Sequence, residues 1–149
     1  MMRLTKLTDY GIALMTWLAR RPVGERTTAR DLAEVVGLPQ PTVSKLLKLL
    51  NQGDLLVSRR GAAGGYGLAR APEEITLVDI VQSLEGPLSL TECTSSEGCS
   101  CALEVNCELR TNWHWINRRF LDTLSGVTLD RMAGTLSVED DGAAAATKG

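Results

Sequence analysis

The fold is decided by residues 28–70, which read TARDLAEVVGLPQPTVSKLLKLLNQGDLLVSRRGAAGGYGLAR. Thr28 begins a short helix, because an aspartate three residues later completes a pattern that caps helix N-termini. Gly37 suits the left-handed position that ends such a helix. Pro39 and Pro41 fit only the entry or the first turn of a helix, so a second helix starts there. This stretch therefore predicts a helix-turn-helix motif.

The two helices of this motif separate apolar from polar residues. The apolar positions predict that the first helix buries Leu32, Val35 and Val36 and that the second buries Val43, Leu46, Leu47 and Leu50. Polar side chains of the motif are candidates for contacting DNA. Thr28 lies at the start of the first helix, and the others lie on the second helix: Gln40, Thr42, Ser44, Lys45 and Lys48. Any small helical bundle has amphipathic helices, and the two lysines also suit an ordinary surface.

A β-hairpin is predicted directly after the second helix. The segment LLVSRR is followed by the glycine-rich run GAAGGYG and then LAR, a strand, a loop and a strand. A hairpin in this place is a wing, and its candidate DNA contacts are Arg59, Arg60, Gly61 and Tyr66. The same glycines would suit a plain flexible hairpin. A nucleotide phosphate loop is excluded, because such a loop opens a helix and this one joins two strands.

The charge is divided between two parts of the chain. Residues 1–70 carry 11 basic and 5 acidic side chains, a net charge of +6, whereas residues 71–149 carry 5 and 13, a net charge of −8. The total of −2 conceals this division. A basic half suits a nucleic acid, and an acidic half suits another role, although two ordinary solvated surfaces would show the same counts.

Apolar spacing predicts further helices on both sides of the motif. The first opens near Thr8, with its apolar stripe on Tyr10, Ala13, Leu14, Trp17 and Leu18. Another follows the capping pattern at Thr76 and ends at Gly86. A long helix presents an apolar seam that suits self-association or packing on its own domain: Leu109, Trp113, Ile116, Phe120 and Leu124. Asn117 is expected to face away from this seam. A short amphipathic element containing Leu129 and Leu136 follows.

These elements predict a mainly α fold with a small β-hairpin, a winged helix-turn-helix domain plus a long dimerisation helix. The predicted divisions are a DNA-binding domain, a cysteine loop, a dimerisation helix with a short C-terminal helix, and a disordered tail, at residues 1–86, 87–107, 108–136 and 137–149. No apolar run approaches the roughly 20 residues that span a bilayer, and the N-terminus lacks a signal-peptide stretch. We therefore expect a cytoplasmic protein with no membrane partner.

Four cysteines lie close together in the acidic half, at Cys93, Cys99, Cys101 and Cys107. In the cytosol such a cluster indicates metal ligands or redox thiols rather than disulfides. The spacing C-x5-C-x-C-x5-C lacks the paired knuckles of zinc fingers and the regular run of ferredoxins. Widely spaced thiolates on a loop can nevertheless surround a polynuclear iron–sulfur cluster. The neighbouring glutamates disfavour bare thiolates, so the pattern indicates bound metal rather than a simple thiol sensor.

Several segments resemble the iron–sulfur cluster regulator family, which are bacterial winged helix-turn-helix transcription factors. They are MRLTKLTDY at 2–10, RGAAGGY at 60–66, ITLVDIV at 75–81 with the following Glu85-Gly86, and the cysteine loop before the Trp113 helix. They occur in the family's order, and the resemblance covers residues 2 to about 136. RTNW at 110–113 and GVTL at 126–129 are most similar to the regulator of the SUF cluster-assembly system.

The resemblance implies a homodimer on double-stranded operator DNA, with the Trp113 helices paired and the helix from about Pro39 in the major groove. It also implies a 2Fe–2S or 4Fe–4S cluster held by three cysteines and one other residue. The family spacing C-x5-C-x5-C is met only in part. The register from the last cysteine to Trp113 favours Cys93, Cys101 and Cys107, while Cys99 could substitute or add a fourth thiolate.

The fourth ligand differs from the pattern of relatives with a 2Fe–2S cluster. Arg110 stands where those relatives have histidine, and the only histidine, His114, is next to Trp113 and is expected to be structural rather than a ligand. Asp9 occupies the position from which the nitric-oxide-sensing branch supplies a carboxylate across the dimer. The other interpretation of Asp9 is a helix N-terminal carboxylate, stabilised by the helix dipole.

The predicted function is that of a cluster-sensing transcriptional regulator, a repressor of iron–sulfur cluster assembly genes. The alternatives are a zinc-stabilised winged-helix regulator and a nitric-oxide-sensing or redox-sensing repressor of the same family. An enzyme such as a thiol oxidoreductase is not expected, because there is no C-x-x-C motif and His114 has no nucleophile partner in the sequence. We likewise expect no small-molecule substrate.

Overall fold

The computed structural model describes residues 3–134. Within that range the elements are, in chain order, α1 (Lys6–Ala19), α2 (Ala29–Val36), α3 (Gln40–Gln52), β1 (Leu56–Arg59), β2 (Gly65–Leu68), α4 (Leu77–Glu85), α5 (Arg110–Ser125) and α6 (Leu129–Ala133). Short 3-10 turns occupy Pro72–Glu74, Glu92–Thr94 and Glu104–Asn106. The mainly helical fold with one hairpin is confirmed. Over these residues no helix combines the length and apolarity needed to cross a membrane.

The helix-turn-helix forms from the capping residues that predict it. The Thr28 hydroxyl accepts a hydrogen bond from the Asp31 amide at 3.1 Å, which satisfies one of the free amides at the start of α2. Gly37 ends α2 in the left-handed conformation, with φ of 70°. Pro39 occupies the N-cap position of α3, and Pro41 lies in its first turn, where no amide donor is needed. These local signals fix where both helices begin and end.

The wing is anchored to the residue that precedes the cap of α2. Strands β1 and β2 are antiparallel, with Arg59 opposite Gly65 at the tip side. Thr27 and Tyr66 form an additional antiparallel bridge, with the Tyr66 amide donating to the Thr27 carbonyl at 2.8 Å. Gly65 has φ of 130°, and a Cβ there would lie 2.7 Å from the Thr27 carbonyl oxygen. Glycine is therefore required for this close approach.

One hydrophobic core joins the helices of the helix-turn-helix to the end of the described chain. Four residues of α3 are fully buried in it, Val43, Leu46, Leu47 and Leu50. Leu129 of α6 belongs to the same core, and its amide donates to the Ile75 carbonyl at 2.8 Å. The Leu77 amide similarly donates to the Val127 carbonyl at 2.8 Å. The core of the first 86 residues is thus completed by residues beyond the cysteine loop.

The sequence-based expectation about the buried face of α1 is wrong in one residue. Helix α1 begins at Lys6, because the Thr5 hydroxyl caps it by accepting from the Thr8 amide at 3.2 Å. Leu14 and Leu18 are buried as expected, but Ala13 is exposed. The reason is that α1 contacts α2, α4 and α6, and the face that these helices cover includes Ile12 and Met15 rather than Ala13. The buried residues of α1 are Thr8, Gly11, Ile12, Leu14, Met15 and Leu18.

In α2 the expected burial of Val35 is also wrong, because its side chain is 54% exposed while Ala33 is buried. A helix of eight residues has one face toward α3, and Val35 lies off that face. The predicted contribution of Leu136 and the predicted disordered tail at 137–149 lie outside the described residues. The division of the chain into functional segments stays a prediction.

Candidate nucleic-acid interface and sensor loop

Helix α3 presents a polar face directly opposite its buried leucines. Gln40, Ser44, Lys45 and Lys48 are exposed on this face and Thr42 is half-buried. The opposite face is fixed in the core, so the orientation of the polar side chains is set by the fold rather than by their own contacts. An exposed second helix of a helix-turn-helix motif is the element that enters a major groove.

The wing places basic side chains beside this helix. Arg59, Arg60 and Gly61 are all exposed, and within residues 3–134 neither arginine forms a salt bridge. Their guanidinium groups are therefore available to phosphate oxygens. Tyr66 differs from the other candidates, because it is half-buried and its ring packs against the core. Its main chain holds the wing in place through the bridge to Thr27.

Thr28 lies at the N-terminus of α2 with its hydroxyl already engaged. Besides accepting from the Asp31 amide, the hydroxyl donates to the Asp31 carboxylate at 2.7 Å. The residue as a whole is exposed. The arrangement gives Thr28 a clear structural role as a cap, and its predicted contact with DNA stays a prediction.

The four cysteines are free thiols on the segment between α4 and α5. Cys93, Cys99 and Cys107 are half-buried, and Cys101 is exposed. The Cys93 sulfur lies 3.2 Å from the Thr91 hydroxyl, and Cys99 lines an open cleft of about 620 Å³ with neighbouring serine, threonine and glutamate side chains. Apart from two 3-10 turns this segment has no helix or strand. The four thiols therefore lie together on irregular backbone.

This donor set fits a thiolate-held metal group, but the loop does not gather it in advance. Between residues 3 and 134 no three histidine, cysteine or acidic side chains lie close enough together to hold a metal ion. The four unbridged thiols lie on one irregular segment, so no α-helix or strand fixes the distances between them. Asp9 is exposed in the first turn of α1, apart from the cysteine segment in the chain.

The segment is nevertheless fixed at its start by α5. The amide of Leu90 donates to the Asn117 side-chain oxygen at 2.9 Å, and Asn117 is only 8% exposed. The expectation that Asn117 faces away from the packed side of its helix is therefore wrong. Its position between Trp113 and Phe120, four residues after one and three before the other, is the signal that could have found it.

The apolar seam of α5 is divided between two environments. Trp113, Phe120 and Leu124 are half-buried, whereas Leu109 is 55% and Ile116 is 38% exposed. Trp115, which the heptad spacing does not include, is 61% exposed, with the Arg119 guanidinium 5.3 Å from its ring centroid. One side of α5 thus packs on the rest of its own chain, and the other leaves large apolar side chains in solvent.

Glu85, which the sequence analysis named only as part of the family resemblance, makes a contact that the sequence did not predict. Its carboxylate accepts hydrogen bonds from the Thr8 hydroxyl at 2.5 Å and from the Thr5 amide at 2.9 Å. These two bonds, the one to Thr8 first, lower the pKa of Glu85 below its ordinary value of 4.5. Its partners are nearly 80 positions away in the chain, so no local spacing pattern could reveal the contact.

An outward-facing second helix beside an exposed basic wing defines a winged helix-turn-helix protein. A family model described as Rrf2, iron-dependent transcriptional regulator, matches residues 4–135. The chain belongs to the Rrf2 family. The resemblance identified from the sequence is confirmed at the level of the family.

Individual relatives agree with this assignment. The chain is 32% identical over 128 residues to the HTH-type transcriptional regulator NsrR of Geobacillus kaustophilus, with 86% of this chain and 87% of that protein covered. It is 31% identical to NsrR of Halalkalibacterium halodurans over 128 residues, 86% and 88% of the two chains.

Two solved structures share the fold and more than a quarter of the sequence. CymR, the global cysteine regulator of B. subtilis, has a TM-score of 0.71 and 28% identity, covering 89% of this chain and 97% of that one. IscR of T. potens has a TM-score of 0.65 and 26% identity, covering 99% and 94%. The chain is thus a DNA-binding transcriptional regulator rather than an enzyme, as the sequence predicts.

Proposed function

We propose that this regulator senses an iron–sulfur cluster and, as a homodimer on operator DNA, represses the genes of cluster assembly. The observation that carries the proposal is the set of four free thiols on one irregular segment between α4 and α5. The description of the matching family as iron-dependent supports iron over zinc. The basic half would bind DNA and the acidic half would carry the signal.

The residues proposed to hold the cluster are Cys93, Cys101 and Cys107. Cys99 is the alternative second ligand or an additional thiolate, and Asp9 is the candidate non-cysteine ligand. When bound, an iron–sulfur cluster supplies a redox-active centre that oxidants and nitric oxide can destroy. The chain's own contribution is to supply sulfur ligands from a loop whose start is hydrogen-bonded to Asn117 of α5.

DNA would be bound by α3 and the wing together. Gln40, Ser44 and Lys45 on the exposed face of α3 would contact base edges, because their donors and acceptors suit the major groove. Arg59 and Arg60 would contact phosphates or a narrow minor groove. The net charge of +6 on residues 1–70 supports favourable long-range attraction to a polyanion.

Dimerisation is proposed through the exposed side of α5. Leu109 and Ile116 of the predicted seam, together with Trp115, form an apolar surface that a second copy of the chain would cover. Two copies related by a twofold axis would present two α3 helices, which suits a pseudo-palindromic operator.

Replacing Ile116 with arginine should give a monomer in light scattering. The control Leu103→Arg, at a residue 64% exposed on the loop, should stay a dimer.

The test begins with anaerobic purification of the protein. We expect a brown protein with visible absorbance and stoichiometric iron and sulfide. Operator sites selected from a random DNA pool then give affinities of the loaded and metal-free forms at one salt concentration. We expect them to differ by about tenfold or more, which corresponds to about 1.4 kcal/mol. Equal affinities would contradict cluster sensing, and a colourless protein with one zinc per chain would support the zinc-stabilised alternative.

Single cysteine variants assign the ligands. Cys93→Ala and Cys107→Ala should abolish the visible absorbance, because each removes a proposed ligand. Comparison of Cys99→Ala with Cys101→Ala decides which of the two is the second ligand. Ser96→Ala is the matched control, since Ser96 is exposed on the same segment and should leave the absorbance unchanged. If Cys93→Ala or Cys107→Ala still binds the cluster, this ligand set is contradicted.

A further inference from the structure

An open cleft of about 440 Å³ lies beside the wing. Its walls come from the end of α1 and the loop that follows it, from both strands of the hairpin and from the 3-10 turn Pro72–Glu74. The loop approaches β2 so closely that a Cβ at Gly67 would lie 3.0 Å from the Glu25 carbonyl oxygen. Two valines of the cleft face solvent, because Val23 is fully exposed and Val57 is 41% exposed. This wing cleft thus has apolar surface that the described part of the chain leaves uncovered.

Arg26 brings an unpaired positive charge into the wing cleft. Its Nη1 atom is buried, and among the described residues it has no hydrogen-bond partner. The other two arginines of the cleft, Arg21 and Arg70, each form a salt bridge, at 3.2 and 3.9 Å. Glu73 also lines the cleft, but over the described range it is not within salt-bridge distance of Arg26. Because buried guanidinium nitrogens almost always have an acceptor, the cleft fits a ligand with a carboxylate.

The last described residues lead the chain to this cleft. Helix α6 packs on α1 and on the Pro72–Glu74 turn, which are two of the elements that line the wing cleft. At the end of α6 the Ala133 carbonyl accepts a hydrogen bond from the Arg20 side chain at 3.0 Å. Both neighbours of Arg20 in the chain, Ala19 and Arg21, line the cleft. The chain therefore leaves α6 beside the wing cleft.

The sequence that follows α6 has the chemistry that the wing cleft lacks. Residues 135–142 read TLSVEDDG, in which apolar Leu136 and Val138 precede three consecutive acidic residues. Five extended residues span at most about 17 Å, so the acidic residues are not confined to the end of α6. The apolar side chains suit the exposed valines of the cleft, and a carboxylate suits the Arg26 guanidinium.

We propose that residues 135–141 bind in the wing cleft, with a carboxylate of the acidic run on Arg26. Val57 and Arg59 lie two positions apart on β1, so both side chains point to the same side of the hairpin. The bound segment places negative charge on that side, where it competes with DNA phosphates for Arg59 and lowers DNA affinity. This contact is independent of cluster sensing, because no cysteine takes part, and it restricts the predicted disorder to residues beyond 141.

The first test follows the metal-free full chain by NMR. The amides of residues 136–141 should exchange with solvent at least about fivefold more slowly than in an unstructured peptide. This protection should be lost in Arg26→Ala and in a triple variant that combines Glu139→Gln, Asp140→Asn and Asp141→Asn. The triple variant should also shift the Arg26 Nε–H signal, and because its substitutions lie outside the core it keeps the test valid if Arg26→Ala does not fold.

Two outcomes of the same experiment would overturn the proposal. Unprotected amides at 136–141 in the parent would mean that the segment does not bind. If millimolar succinate shifts the Arg26 Nε–H signal of the parent but the triple variant does not, the wing cleft binds a free organic anion instead. Glu73→Gln is the matched control and should leave the signal unchanged, and a shift there with none in the triple variant would assign Arg26 to Glu73.

The second test measures affinity for a random-sequence duplex at one salt concentration. The triple variant should bind at least about threefold more tightly than the parent, because it removes charge that competes with phosphates. In the Arg26→Ala background the same three substitutions should gain less than about 1.5-fold, since the segment is no longer held beside the wing. Equal gains in the two backgrounds would show that the segment acts only through net charge, and would overturn the competition at the wing.

Discussion

The DNA-reading part and the cysteine segment are organised in opposite ways. Helix α3 has four fully buried residues, so the core fixes the orientation of its polar face in the protein without DNA. The cysteine segment has only 3-10 turns, an exposed Cys101 and no metal-ligand group of three among residues 3–134. Burial of apolar surface stabilises the first part, whereas the second has little such surface to bury.

This difference suits the proposed division of work. A DNA-binding part must hold its side chains at fixed positions relative to the major and minor grooves, and a packed core achieves this. A sensor must differ between its loaded and metal-free states, so a segment of low intrinsic stability is suited to it. Asn117 of α5 accepts a hydrogen bond from the start of the cysteine segment, and Glu85 at the end of α4 accepts one from α1.

The largest expected effect separates the core from the loop. Leu47→Ala should lower the free energy of unfolding by about 2–5 kcal/mol, because it leaves a cavity at a fully buried position. Leu103→Ala is the matched control on the cysteine segment, where the side chain is 64% exposed, and should change stability by less than about 0.5 kcal/mol. Denaturant unfolding of the metal-free protein measures both, and equal losses would show that the segment is as well packed as the core.

A smaller effect is expected where the segment meets α5. Asn117→Ala should cost about 1–3 kcal/mol, because the Leu90 amide loses its acceptor in a part-buried position. Asn112→Ala on an exposed face of the same helix is the control and should be nearly neutral. Thermal unfolding followed by circular dichroism compares the two variants. Identical midpoints would mean that the hydrogen bond does not stabilise the start of the segment.

The wing should contribute to DNA affinity without changing stability. Arg60→Ala should weaken binding to all sequences and reduce the slope of log affinity against log salt by about 1, as expected for one lost phosphate contact. Arg118→Ala, an exposed arginine on α5, is the control of equal charge change. Fluorescence anisotropy over a salt series measures both slopes. If the two variants behave alike, the wing acts only through net charge.

The smallest expected effect is on the pH dependence of stability. The folded pKa of Glu85 lies below 4.5, so its contribution is present above that pH and is lost as the pH falls through the lower folded value. Glu85→Gln should therefore lose less stability than the parent on acidification below pH 4.5, whereas Glu73→Gln should follow the parent. Unfolding midpoints at a series of acidic pH values test this, and parallel curves for parent and Glu85→Gln would contradict it.

The reading part could be predicted from sequence because its signals are local. Thr28, Gly37, Pro39 and the glycines of the wing each act within a few residues, and the structure uses them as expected. The errors concern which face of a helix is buried. Ala13 and Val35 depend on how many neighbours pack around α1 and α2, which spacing along one helix does not reveal.

The sequence by itself determined the order of the elements, the capped ends of the helices, the division of charge and the grouping of four thiols, because these depend on neighbouring residues. Only the tertiary structure decided that Leu129 completes the first core, that Asn117 is buried and that Glu85 holds α1. Those contacts join residues far apart in the chain. Their partners are chosen by how packed helices bring side chains together, and no local periodicity records that choice.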